Sequence, residues 1–290
     1  MSSIFGQALP PVNLGRVNNR GYELELGYQS SISKDFSWSI KGNYSFAKNK
    51  ILFQDEPKNQ YEYQNFTGNS IGQQRVYIYQ GFYSVADIAS SDVPKPASGA
   101  RPGDLKYQDL NGDRIINDFD RKVTGLPNLP NTTYGVNLSA RYKGLSVSVL
   151  FQGASNFNVS GASEAIKAFT ANLSEVHTQA WTPELGDNAK YPRLTLLGGI
   201  SDPSSNQSTF WQISGNYVRL KTAQINYDLP TSFMRYLGIP SARIYANGTN
   251  LLTWSSVDKL YDFDPEVTLN ASRPLYPPQR LINFGLSVTF

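Results

Sequence analysis

Residues 36–46 read FSWSIKGNYSF, and this stretch decides the fold. Its even-numbered positions are apolar or aromatic apart from Gly42, and its odd-numbered positions are polar. Such alternation predicts a β-strand whose two faces meet different surroundings. The aromatic side chains stand at the two ends of the apolar face, with Ile40 between them. Because aromatic rings favour the two interfaces of a bilayer, this arrangement predicts a membrane-crossing strand.

The length of the stretch agrees with that prediction. Ten steps of about 3.3 Å separate Phe36 from Phe46, and a tilt of roughly 40° reduces the span to about 25 Å. This is the height of the apolar band of an outer-membrane barrel. The charged residues of this and neighbouring strands stand at the odd-numbered positions, opposite to the apolar ones, as a water-filled barrel lumen requires. They are Glu23, Glu25, Lys41 and Arg141.

Six further stretches alternate in the same way. They are GYELELGYQ (21–29), TYGVNLSARY (133–142), LSVSVLF (145–151), NYVRLKTAQINYDL (216–229), ARIYANGTNLLTW (242–254) and LINFGLSVTF (281–290). In the fourth of these the parity changes near Lys221, which predicts a β-bulge. The chain shows no long amphipathic helix, so we expect an all-β, antiparallel fold with about seven strands.

The connections between these strands are alternately very short and very long. Residues 30–35 and 143–144 join strands directly, whereas roughly eighty and roughly sixty residues form two other connections. Such long loops are unusual in a compact soluble domain. They fit a membrane barrel with tight periplasmic turns and long extracellular loops. Alternation alone leaves a soluble antiparallel sandwich open. The alternatives for the function are a secreted carbohydrate-binding β-sandwich and a passive porin.

Composition excludes several classes of protein. The 290 residues include 26 basic and 23 acidic side chains without a basic run, so no nucleic-acid partner is expected. There is no cysteine, which removes disulfides and thiolate chemistry. No apolar run is long enough for a membrane helix, and the first residues lack the pattern of a secretory signal. If the protein leaves the cytoplasm, its targeting signal is expected outside this chain.

An acidic segment within the longest loop has the ligand spacing of a calcium-binding loop. Counting Asp109 as position 1, oxygen donors fall at positions 1, 3, 5, 7, 9 and 12 of a twelve-residue loop. These donors are Asp109, Asn111, Asp113, the carbonyl of Ile115, Asn117 and Asp120. Arg114 stands at position 6, where glycine is usual, and Asp120 replaces the usual glutamate. The alternative is an acidic turn closed by side-chain hydrogen bonds.

Nothing in the sequence indicates catalysis. His177 is the only histidine, and its polar surroundings predict a surface residue. No phosphate-binding glycine loop, nucleophile elbow or zinc-protease motif is present. We therefore predict that the protein is not an enzyme.

Six pieces follow one another along the chain: GRVNNRGYELEL, PGDLKYQDLNGDRIINDFDR, AWTPEL, NYVRLKTAQINYDLP, DFDPE and YPPQRLINFGLSVTF. In this order they resemble the SusC/RagA family of TonB-dependent outer-membrane transporters. It implies that residues 1–290 are the carboxy-terminal part of a 22-stranded plugged barrel, and that the plug domain lies outside this chain. Phe290 would then match the aromatic signal that barrel strands present to their insertion machinery.

The resemblance also implies a function and partners. The intact protein would lie in outer-membrane lipid and import oligosaccharides or peptides. A SusD-like surface lipoprotein would deliver substrate, and TonB would act through an amino-terminal segment absent from this chain. The family's ligand contacts follow no short motif, so the sequence predicts no substrate-binding residues. The final strand is expected to pair with the strand around residues 243–253 and, in the closed barrel, with the first barrel strand.

Overall fold

The computed structural model describes residues 13–161, 166–170, 173–196, 199–202, 206–257, 261, 264–266 and 278–289. Phe290, the predicted aromatic insertion signal, lies outside the described residues. Within these residues there are two helices, α1 (Val85–Ala89) and α2 (Thr231–Tyr236), and short 3₁₀ turns at Glu62–Gln64, Asp118–Asp120, Glu175–Gln179, Gly186–Asn188 and Thr209–Trp211. The strands are β1 (Arg16–Ser31), β2 (Phe36–Phe53), β3 (Gln74–Tyr77), β4 (Tyr79–Phe82), β5 (Leu105–Tyr107), β6 (Arg121–Thr124), β7 (Thr132–Tyr142), β8 (Leu145–Ser155), β9 (Asn158–Ser160), β10 (Gln212–Ser214), β11 (Tyr217–Asp228), β12 (Ser241–Ser255) and β13 (Leu281–Thr289).

The seven predicted strands form one antiparallel sheet in the order β1-β2-β7-β8-β11-β12-β13. Each strand pairs with the next one of this series, so the long loops add no crossover. The prediction that β13 pairs with β12 is confirmed, because Arg243 lies opposite Ser287. Within the described residues, β1 and β13 remain at the two edges and the sheet does not close. The predicted pairing with a first barrel strand remains a prediction.

The registers place the apolar parity of all strands on one side of the sheet, here called the apolar face. Ile40 lies between Tyr28 of β1 and Leu138 of β7. Leu138 in turn faces Val149 of β8, which faces Ala223 of β11. Since side chains alternate along each strand, the intervening polar residues share the other side, called the polar face.

The predicted bulge in β11 keeps the apolar face continuous. The pairing with β8 shifts between Leu220 and Thr222. Phe151 and Val149 are two residues apart (151 − 149), whereas their partners Leu220 and Ala223 are three apart (223 − 220). The extra residue explains the parity change that the sequence shows at this point.

Aromatic rings lie in two bands at the ends of the apolar face. At the long-loop end, the rings of Tyr22 and Phe46 are 5.5 Å apart. At the short-turn end, the rings of Tyr28 and Trp38 are 5.4 Å apart, and Tyr142 packs near the start of β2. Along β2 and β7 the apolar-face side chains between the bands include Ile40, Val136 and Leu138, which is the pattern predicted from residues 36–46.

The apolar face is solvent-exposed in the described part of the chain. Leu26 is 65% exposed, Leu138 38% and Phe284 81%. The other sheets formed by the described residues are two-stranded: β3 with β6, β4 with β5 and β9 with β10. A soluble sandwich must bury such a face against a second sheet. The structure therefore contradicts the sandwich alternative.

The connections segregate to opposite ends of the sheet. Residues 32–35, 143–144 and 229–240 make the shorter ones, and residues 54–131, 156–216 and 256–280 make the long ones at the other end. The largest buried apolar cluster lies in the long loops and includes Tyr77, Leu105, Val176 and Trp211. None of the described helices has the length and apolar character needed to cross a bilayer.

Candidate functional site

The polar face carries a network of charged and hydroxyl side chains. Lys41 Nζ lies 2.8 Å from Glu25 Oε1 across β1 and β2. The hydroxyl oxygens of Ser39 and Ser139 are 2.7 Å apart across β2 and β7. Asn283 donates to Asn247 at 3.0 Å across β12 and β13. Hydrogen-bonding groups of both kinds therefore line this face along its whole width.

Asp228 organises the polar face near the short-turn end. Its two carboxylate oxygens accept from Arg243 Nε at 2.5 Å and from Arg141 Nη2 at 3.4 Å. The three residues come from β11, β12 and β7. Because all three remain partly solvated, they stabilise the fold only weakly. They leave charged groups available to a polar solute.

The long loops are built around stacked aromatic rings. The rings of Tyr77 and Tyr107 lie parallel, with centroids 4.6 Å apart. Burial raises the pKa of Tyr107 because the phenolate would lose its hydration. Phe210 contacts Tyr79 edge-to-face, and burial raises the pKa of Tyr79 to about 12. The loops are thus a packed structure at the long-loop end of the sheet.

His177 belongs to this packed structure, and the prediction of a surface position is wrong. The residue is 5% exposed. Ser174 N–H donates to Nδ1 at 2.9 Å, and Nε2 lies 2.8 Å from the carbonyl of Ile166. These partners assign the proton to Nε2, and the ring edge packs on Tyr191. Local polarity misled the prediction because Ile166 and Tyr191, which lie outside the adjacent residues in the sequence, cover the ring.

The acidic segment folds as a tight loop in which carboxylates accept backbone N–H groups. Asp109 accepts from Gly112 at 2.7 Å and from Arg114 at 2.8 Å. Asp113 accepts from Ile115 at 2.8 Å, and this hydrogen bond lowers the pKa of Asp113. Arg114 has a φ of 64°, so it adopts the left-handed conformation that the sixth loop position demands.

Asp120 closes the loop from its far end. Its side chain is fully buried and accepts N–H groups from Leu110 at 2.8 Å and Asn117 at 2.9 Å. Burial raises the pKa of Asp120 against the effect of these hydrogen bonds. Among the described residues, no three acidic or histidine side chains converge as a metal site. The carboxylate, amide and carbonyl oxygens of this segment are the ligand types that a hard cation prefers.

Arg219 forms an ion-pair cluster that sequence reasoning missed. Its side chain is 1% exposed and contacts Asp264 at 2.5 Å and Glu266 at 2.9 Å. Tyr217 donates to Glu266 at 2.7 Å. The cluster ties the loop after β12 to the polar side of β11. The signal available in the sequence was an arginine on the polar side of a strand, with two acids in the segment DFDPE 45 and 47 residues further along the chain.

These features define a class of protein. An antiparallel sheet with an exposed apolar face, a polar inner face, aromatic bands and long loops at one end is a wall segment of a membrane β-barrel. No protein-family model matches the chain. Known proteins nevertheless match it over almost its full length.

TonB-dependent receptor P26 of Formosa agariphila is 30% identical over 303 residues, covering 96% of this chain and 30% of the relative. TonB-dependent receptor P3 of the same organism is 27% identical over 300 residues, covering 96% and 29%. TonB-dependent receptor SusC of Bacteroides thetaiotaomicron is 21% identical over 300 residues, covering 96% and 27%. The chain thus spans about 30% of the length of the curated relatives it matches.

Solved structures give the same result for the fold. The RagAB peptide importer in its open-open state superposes with a TM-score of 0.72 at 20% identity, covering all of this chain and 30% of that one. Its closed-closed state gives a TM-score of 0.68. The resemblance predicted from the sequence is confirmed. The chain is SusC/RagA-like and homologous to the carboxy-terminal barrel portion of TonB-dependent receptors.

Proposed function

We propose that this chain forms the late barrel strands and outer loops of a TonB-dependent outer-membrane transporter. The transporter imports oligosaccharides or peptides. A SusD-like lipoprotein caps the long loops, and TonB acts through an amino-terminal segment outside this chain. Transport of this kind makes and breaks no covalent bond, so the proposal assigns no catalytic residue.

The two-faced sheet is the observation that carries the proposal. Its apolar face suits lipid, because backbone groups are paired within the sheet and side chains such as Leu138 are apolar. Its polar face suits a solute with many hydroxyl or amide groups, because serine, asparagine and paired charged side chains line it. The packed long loops offer a lipoprotein a structured surface.

The polar face acts as the wall past which substrate moves. Hydroxyl and amide groups such as those of Ser39, Ser139 and Asn283 exchange hydrogen bonds with a solute without holding it at one point. Transport through a plugged lumen requires work on the plug, which the proposal assigns to TonB. A passive porin would need no such work, and this difference separates the two hypotheses.

Uptake in cells tests the proposal. A strain that expresses the intact protein containing these residues is fed labelled oligosaccharides and labelled peptides in separate arms. We expect uptake in one arm, and we expect it to stop when TonB is deleted or when the inner-membrane proton gradient is collapsed. Uptake that persists without TonB would support the porin instead. No uptake of either class would contradict the proposal.

We also propose that the acidic loop holds one Ca²⁺ through Asp109, Asn111, Asp113, the Ile115 carbonyl, Asn117 and Asp120. The support is the spacing of six oxygen donors and the left-handed turn at Arg114. When bound, the ion would balance the carboxylates and fix the loop. Asp120 would anchor the loop, because its buried carboxylate already joins the two ends.

Calorimetric titration of calcium tests this site. The double change Asp109→Asn and Asp113→Asn should abolish the binding isotherm of the intact protein. The matched control is Asp118→Asn, since Asp118 is at a non-ligand position of the same loop and pairs with Arg121. The control should bind as the unaltered protein does. An unaltered protein that binds no calcium at millimolar concentration would contradict the proposal.

A further inference from the structure

A cleft with a positive lining lies on the apolar side of the sheet, just beyond the aromatic band at the long-loop end. Its volume is about 660 Å³, and β1, β2 and residues 68–73 line it. The cationic lining residues are Arg20, Lys48 and Lys50. No carboxylate appears among the described residues that line the cleft.

The registers place these three cations on the apolar side. Arg20 lies opposite Lys48, and Tyr22 lies opposite Phe46, in the next pair of the same parity. Asn18 and Lys50 form the following pair. The side chains therefore project from the same side of the sheet as the aromatic band. They do not project into the polar face, where Glu23 and Glu25 lie.

Their height matches the headgroup region of a membrane. Lys48 and Lys50 are two and four residues beyond Phe46, so they rise about 5 Å and about 10 Å above the aromatic band after strand tilt. The polar layer on each side of a bilayer's hydrocarbon core is about 5–8 Å thick. The three cations thus lie at the height of the lipid phosphates and of the sugars attached to them.

The three cations lack the partners that cations elsewhere on the sheet possess. Lys41, Arg141 and Arg243 each pair with an acid on the polar face. None of the ion pairs formed between described residues involves Arg20, Lys48 or Lys50. Three uncompensated positive charges in one cleft attract an anion, and guanidinium and ammonium groups bind phosphate oxygens well.

We propose that this cleft binds the phosphate groups of an outer-leaflet glycolipid. The inference rests on the proposed function, because the long-loop end must lie at the outer surface of the membrane. Arg20 provides a two-pronged contact to one phosphate, while Lys48 and Lys50 neutralise the remaining charge. Asn18 and Asn69 offer amide groups to the sugar. The aromatic band below supports the acyl chains.

The neighbouring loop holds the cleft in shape. Ile51 N–H donates to the carbonyl of Asn69 at 2.8 Å, and Ser70 Oγ donates to the carbonyl of Asn49 at 2.6 Å. Ile71 N–H donates to Asn49 Oδ1 at 2.7 Å. These bonds continue the edge of β2 beyond the end of its pairing with β7. The cleft wall is therefore fixed before any lipid binds.

Titration of lipids onto the intact protein in detergent tests the proposal. The probes are bisphosphorylated lipid A, its dephosphorylated form and inorganic phosphate, with binding followed by native mass spectrometry. The test variant carries Arg20→Gln, Lys48→Gln and Lys50→Gln. The matched control loses the same charge elsewhere, through Lys34→Gln, Lys58→Gln and Arg235→Gln.

We expect the test variant to bind the phosphorylated lipid at least tenfold more weakly, and the control to bind as the unaltered protein does. Equal binding by the test variant would overturn the inference, and so would equal binding of the dephosphorylated lipid. If inorganic phosphate displaces the lipid at an equal concentration, the cleft binds free phosphate and the assignment to a lipid is wrong. Weaker capture of the lid lipoprotein with unchanged lipid binding would also overturn it.

Heat-modifiability and uptake separate this inference from the proposed function. A protein that gives no heat-modifiable band is no outer-membrane barrel, and that result would overturn both claims. A heat-modifiable test variant that transports normally but binds the lipid as well as the unaltered protein contradicts only the lipid site. Since all three altered residues are exposed, the test variant should fold.

Discussion

Leu138 and Asn137 are neighbours in β7 whose side chains lie on opposite faces of the sheet. Leu138 pairs with Ile40 and Val149 on the apolar face, whereas Asn137 pairs with Lys41 on the polar face. At the residue scale, a shift of one position along the strand decides whether a side chain meets lipid or water. The same substitution should therefore be destabilising at Leu138 and tolerated at Asn137.

We predict that Leu138→Arg destabilises the intact barrel by about 2–4 kcal/mol, because it places a charge in hydrocarbon near mid-bilayer. Asn137→Arg should change stability little, because its side chain meets water. The folded fraction in urea, read from heat-modifiability on gels, measures both. Equal destabilisation by the two variants would show that the assignment of faces is wrong.

Arg219 supplies a second prediction at this scale. Arg219→Gln should destabilise the protein by about 3 kcal/mol, because two carboxylates would remain in a mostly buried cluster without their partner. The matched control is Arg243→Gln, which removes a mostly exposed contact to Asp228 and should destabilise the protein far less than Arg219→Gln. Urea unfolding of both variants measures the difference. A larger effect for Arg243→Gln would contradict the described cluster.

At the element scale, the strands and their faces could be predicted from the sequence, while the loops could not. The alternation in β2 follows directly from its two faces, of which one is apolar and the other polar. The change of parity at Lys221 follows from the one extra residue in β11. The short strands β3 to β6, β9 and β10 have three or four residues each, too few to show a period. Their partners, like those of Arg219, are fixed by contacts between segments that are distant in the sequence.

The bulge in β11 yields a prediction for a whole element. Deleting Lys221 should abolish assembly, because every residue on one side of the deletion must then exchange faces or shift its partners. Lys221→Ala keeps the residue count and should assemble. The yield of heat-modifiable protein in outer-membrane fractions measures both variants. Normal assembly of the deletion variant would contradict the described register.

At the scale of the whole molecule, the seven-stranded sheet has two edges whose outer backbone groups lack a strand partner in the described structure. Unsatisfied backbone groups in hydrocarbon cost several kcal/mol each, and open edges promote aggregation. We therefore predict that the 290 residues expressed alone form no monodisperse species in water or detergent. Size-exclusion chromatography measures this, and a stable, soluble, cooperatively unfolding monomer would contradict it.

The central claim is that one face of the sheet meets lipid and the other meets water. The chain contains no cysteine, so single cysteines introduced here can carry one spin label each once cysteines elsewhere in the intact protein are replaced. The informative positions lie in β7, with Val136, Leu138 and Ala140 on the apolar face and Asn137, Ser139 and Arg141 on the polar face.

The decisive measurement is the accessibility of these labels, in membranes, to oxygen and to a water-soluble nickel complex. The account predicts that even-numbered positions favour oxygen, odd-numbered positions favour nickel, and the contrast reverses at every residue. Accessibility that does not alternate, or that alternates with the opposite phase, would contradict the account.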